Sequence, residues 1–125
     1  MTVGKRILIV ECDNLVRELL KRWLREAGYV VKAVDAGALN HQSGADLLIA
    51  NVPNPAFAAP LVSALRASSA TPILLISARL RHRAGLTPHI ARGLGVQGVL
   101  AKPFTRAELL AAVTNSLQDG SGGDI

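Results

Sequence analysis

Apolar residues fall along this chain in two alternating patterns. Short continuous runs ("KRILIV" at 5–10, "YVVKAV" at 29–34, "ADLLIA" at 45–50, "TPILLIS" at 71–77) are rich in β-branched side chains. Such runs are expected of strands covered on both faces. A shorter one sits within "GVQGVLA" at 95–101. Between them the spacing turns helical. In "DNLVRELLKRWLREAG", Leu15, Val16, Leu19, Leu20, Trp23, Leu24 and Ala27 form an apolar stripe, and Gly28 stands where a helix C-terminus favours glycine. Trp23 falls within the stripe and reads as core. Arg17, Glu18, Lys21, Arg22, Arg25 and Glu26 form a solvated opposite face, with Glu18–Arg22 and Arg22–Glu26 four apart.

"PAFAAPLVSALRASSA" (55–70) reads as a helix entered through Pro60, and "DAGALNHQSG" (35–44) holds at most a short one. The last helix opens at "TRAELLAAVTNSL", where Thr105 and Glu108 match a capping box. Leu109, Leu110, Val113 and Leu117 keep its helical period. "QDGSGGDI" (118–125) reads as a flexible tail or the start of a linker, giving one domain over 1–118. "ARLRHRAGLTPHIARGLG" predicts a basic loop and a short helix around 88–93. Strands alternating with helices argue for an α/β domain with a parallel sheet covered on both sides.

In such sheets ligands bind beyond the carboxyl ends of the strands. Those ends carry Glu11, Cys12 and Asp13 after the first strand, Asn51 after the third, Ser77 after the fourth and Lys102 after the fifth. These residues form one candidate site. The stretches "ILIVECDNLVRELLKRWLREAGY", "DLLIANVPNP", "PILLISA" and "GVLAKPF" resemble the receiver domain of bacterial two-component response regulators, over essentially the whole chain to about residue 118. "KPF" followed by a helix is the most specific piece. The resemblance implies a flavodoxin-like three-layer sandwich with strand order 2-1-3-4-5 and a cis bond before Pro103.

It also implies a chemistry. A working receiver takes a phosphoryl group from a histidine kinase onto an aspartate at the end of strand three. Acids after strand one hold Mg²⁺, and a strand-four hydroxyl and a strand-five lysine contact the phosphoryl oxygens. Lys102 and Ser77 match the last two positions, and Glu11, Cys12 and Asp13 fall on the acidic pocket. The acceptor position is Asn51, whose neutral amide oxygen is a poor nucleophile. Cys12 offers a soft thiol to a hard cation, and Pro53 stiffens the loop beside the pocket. No metal is expected, Glu11 and Asp13 being the only candidate ligands. Val99 stands where the family places an aromatic switch residue. Lys102 is expected to pair with Glu11 or Asp13 and to donate to Asn51.

Composition narrows the remaining choices. The 125 residues include a single cysteine, so no internal disulfide forms, and no apolar run nears the ~20 residues of a bilayer span. No secretory pattern opens the chain, and a cytoplasmic location without membrane contact is expected. The net charge of +5 is scattered and only 3% of residues are aromatic, which argues against nucleic-acid binding. His41, His82 and His89 lack metal spacing, Ser77 lacks a neighbouring base, and "ECDNLV" lacks a flavodoxin-type phosphate loop. No cofactor is expected. The reading is a non-catalytic, phosphorylation-independent receiver that acts as a protein-interaction module. Its partner would be a kinase, another regulator, an effector domain or a second copy of the chain. Arg79, Arg81 and Arg83 are its candidate contacts, together with the face around strand five and its flanking helices. The alternative is a phosphorelay receiver that uses Glu11 or Asp13 as acceptor.

Overall fold

The computed structural model describes residues 4–11, 13–34, 45–51, 63, 71–77 and 96–122. Strands β1 (Arg6–Val10), β2 (Val30–Ala33), β3 (Leu47–Asn51), β4 (Ile73–Ser77) and β5 (Gly98–Ala101) form one sheet in the order β2-β1-β3-β4-β5. Every pairing is parallel. Helix α1 (Asn14–Glu26) follows β1, and α2 (Arg106–Gly122) follows β5. Of the segment expected to be helical at 55–70, Ser63 is described and is helical. The expectations at 35–44 and 88–93 lie outside the described residues.

Period-two alternation places successive side chains on opposite faces of the sheet. One face carries Ile7, Ile9, Ile49 and Ile76, packed with Leu20 and Leu24 of α1 and Leu109 and Val113 of α2. The other carries Leu48, Ala50, Leu75 and Val99, which are also buried. Both faces are covered, as continuous apolar strands require. The chain has the flavodoxin-like three-layer architecture.

Local chemistry sets the helix ends. Asp13 Oδ1 accepts from the N–H groups of Leu15 (2.9 Å) and Val16 (3.1 Å), which caps α1. At the other end Gly28 has φ +100°, a conformation that side-chain-bearing residues resist. Its N–H donates to Arg25 O, and the Tyr29 N–H donates to Leu24 O. These two bonds form a Schellman motif, with buried Tyr29 and Leu24 in the same apolar cluster. The capping box of α2 is formed: Thr105 N–H donates to Glu108 Oε1 (2.8 Å), and Glu108 N–H donates to Thr105 Oγ1 (3.0 Å).

Two expectations need correction. Leu15 is 84% exposed and Leu19 40%, so the contact stripe of α1 is narrower than its run of leucines. Each residue turns the helix by about 100°, so a sheet contact centred on Leu20 and Leu24 leaves Leu15 and Leu19 outside it. Likewise α2 continues through Gly122, into the stretch expected to be a tail. Once a helix is nucleated, each further residue adds a hydrogen bond at low entropic cost, and composition alone does not stop it.

Gly98 sits where β5 meets α2. A Cβ there would lie 3.2 Å from both Leu74 Cδ1 and Ser116 Oγ, and both neighbours are buried and have little room to yield. Gly98→Ala should therefore lower stability by about 1 kcal/mol, overpacking outweighing the smaller gain from a stiffer unfolded chain. Urea denaturation checks this, and an unchanged or raised midpoint would show that the core can give.

Candidate functional site

The ladder brings the predicted residues to one end of the sheet. Val10 pairs with Ala50, so Glu11 follows level with Asn51; Asn51 pairs with Ile76, and Ser77 with Ala101. Lys102 comes next, its backbone N–H donating to Ser77 O at 3.0 Å. The Lys102–Pro103 bond is cis, as the resemblance implied.

At the centre of the site is an ion pair. Lys102 Nζ donates to Glu11 Oε1 at 3.0 Å, and the Glu11 side chain is only 1% exposed against 20% for Lys102. β1 and β5 are separated by β3 and β4 in the sheet, a gap of about 14 Å at ordinary strand spacing. The pair thus runs across the ends of the two strands that carry Asn51 and Ser77. Glu11 Oε2 is engaged as well, accepting the Asp13 N–H at 3.2 Å.

Of the two partners expected for Lys102, Glu11 is therefore the one realised, and Asp13 is spent on capping α1. The expected donation from Lys102 to Asn51 does not form; among the described residues no hydrogen bond joins them, because the ammonium is drawn to the full charge of Glu11. Asn51 is half-buried at the tip of β3. Ser77 is buried at the tip of β4, and Val99 is buried on the sheet face away from α1. Cys12, Pro53, Arg79, Arg81, Arg83 and the three histidines lie outside the described residues.

One contributor was missed. Arg17 looked like part of a solvated helix face, yet its Nη1 donates to the backbone carbonyl of Glu11 at 3.3 Å and its Nη2 to Asn14 Oδ1. It clamps the turn between β1 and α1. The pairing of Asn14 with Arg17, three apart in the first turn of a helix, was the signal available. Away from the strand tips, Trp23 packs edge-on against Phe104 with ring centroids 6.3 Å apart, and Arg106 reaches Glu26 at 3.7 Å, linking α2 to α1.

Known proteins of similar sequence and structure bear on this geometry. The chain is 36% identical over 124 residues to the transcriptional regulatory protein CusR of Escherichia coli, covering 93% of this chain and 52% of that protein. It is 30% identical over 135 residues to the transcriptional regulatory protein GltR of Pseudomonas aeruginosa, covering 98% and 54%. The chain thus spans about half the length of the curated relatives it matches. No family model matches the sequence. Among solved structures, the chemotaxis response regulator CheY4 of Vibrio cholerae superposes with a TM-score of 0.73 at 25% identity, over 91% of this chain and 99% of that one. The receiver domain of the sensor histidine kinase PA1611 of Pseudomonas aeruginosa, which holds a magnesium ion in its active-site cleft, gives 0.66 at 26% identity, over 97% and 100%. The sequence relatives are thus transcriptional regulatory proteins, and the structural neighbours include a chemotaxis response regulator and a receiver domain. Among the described residues no helix is long and apolar enough to cross a membrane.

The ion pair makes a prediction about stability. Lys102→Met leaves a buried carboxylate without its cation and should cost about 3 kcal/mol, while Glu11→Gln/Lys102→Met should recover more than half of that loss. Urea denaturation of the two variants measures both. A Lys102→Met cost below about 1 kcal/mol would mean that solvent, not Lys102, satisfies Glu11.

Proposed function

We propose that this receiver-type domain works in two-component signalling as a phosphorylation-independent protein-interaction module. The observation that carries the reading is the occupant of the β3 tip. Asn51 stands level with Glu11, at the position where receivers carry the aspartate that attacks phosphorus. An amide nitrogen is delocalised into its carbonyl, and the carbonyl oxygen bears only a partial charge, so an aspartyl phosphate has no counterpart on this side chain.

Two further features support it. Lys102, which the family uses to contact the phosphoryl group, is committed to Glu11. Val99 has no ring to rotate and lies in the buried cluster that holds Leu75, its partner on β4, so the output side lacks the mobile aromatic as well. Glu11 and Asp13 are poor substitute acceptors. Both Glu11 oxygens have partners, and Asp13 is held by two N–H groups of α1. A carboxylate engaged in this way is less nucleophilic than a free one. The domain itself performs no catalysis on this reading, and its effect on a kinase, another regulator or an effector domain comes from binding.

Incubation with acetyl phosphate and Mg²⁺, followed by intact-mass measurement, tests the reading. The mass should stay unchanged. A labile gain of one phosphoryl group would contradict it, and loss of that gain in Glu11→Gln would locate the acceptor.

A further inference from the structure

Mg²⁺ prefers near-octahedral oxygen ligation and usually recruits carboxylates whose charge is not already spent. The donors at the β1 tip do not fit that demand. Glu11 Oε1 faces Lys102 Nζ at 3.0 Å, and Oε2 takes the Asp13 N–H at 3.2 Å. Asp13 Oδ1 takes two N–H groups of α1. The Glu11 carbonyl, a further oxygen at this corner, accepts from Arg17 Nη1 at 3.3 Å. Arg17 is itself only 30% exposed, held by Asn14 and, at 3.8 Å, by Glu18. Asn51, at the β3 tip, adds a neutral amide where a carboxylate would be the better ligand.

We propose that Lys102 and Arg17 are the resident cations of this acidic pocket and that their charge keeps a divalent metal out. Lys102 meets the Glu11 carboxylate on one side and the Arg17 guanidinium adds a second positive charge on the other, while Glu18, which also faces Arg17, is itself met by Lys21 at 3.2 Å, so this corner offers little net negative charge to attract a further cation. Lys102 is the stronger of the two, because it meets the buried carboxylate directly. Arg17 acts on the backbone carbonyl of the same residue and on the turn that follows. This inference deepens the phosphorylation-independent reading and rests on it, since a pocket without metal lacks the ion that phosphoryl transfer requires.

Mn²⁺ titrations followed by electron paramagnetic resonance test the inference on the wild-type chain, Arg17→Gln and Arg17→Gln/Lys102→Met, with circular dichroism as the check on folding. The wild type should show no saturable millimolar site. Apparent affinity should rise at least about tenfold for each cation removed, the effect one unit charge has on a nearby divalent ion even under the screening of bulk water. A saturable millimolar site in the wild type would overturn the proposal. So would Arg17→Gln binding no better than wild type; it keeps the Glu11–Lys102 pair and so answers the question even where the double variant unfolds. Failure of these titrations leaves the phosphorylation reading standing, because that reading depends on Asn51 and is struck by phosphoryl transfer to the wild type, not by metal binding.

Discussion

A carboxylate almost fully withdrawn from water must find something to replace the solvent it has lost. For Glu11 the replacement is Lys102, reaching across from the far side of the sheet, with the Asp13 N–H on its second oxygen. Desolvating a charge costs several kcal/mol, and only a close counter-ion with good geometry offsets it. That requirement couples the ends of β1 and β5. It also bears on what the intervening strand tips can do, because the ammonium that reaches over them is already engaged.

On the proposed reading, the site keeps its scaffold while its charged groups satisfy one another. In this arrangement Asn51 has a structural merit that an aspartate would lack. A third carboxylate level with Glu11 would add repulsion that Lys102 alone could not neutralise, whereas an amide adds none. Charge balance, a neutral strand tip and an aliphatic residue at position 99 all favour one resting conformation. On the proposed reading, a domain of that kind offers a constant binding surface; the chain spans about half the length of the curated relatives it matches.

Much of this architecture was legible in the sequence because it rests on short-range rules. Continuous apolar runs identified the five strands, Gly28 marked the end of α1, and Thr105 with Glu108 marked the start of α2. What escaped depended on direction in three dimensions. Asp13 read as an acid beside the pocket, and only geometry shows that its side chain caps α1 instead. Arg17 has the periodicity of a surface residue, but its length lets it fold back onto the β1–α1 turn. Leu15 and Leu19 joined the apolar stripe by spacing alone, since hydropathy does not record how wide the facing sheet is.

On the proposed reading the strand tips do not form a phosphoryl site. Beryllofluoride with Mg²⁺ imitates a phosphorylated carboxylate, so amide-resolved nuclear magnetic resonance of the wild-type chain addresses that claim without any kinase. The account predicts that resonances of Glu11, Asn51, Ser77 and Lys102 stay where they are on addition of the mimic. A second set of peaks for those residues, growing in slow exchange to saturation, would contradict it.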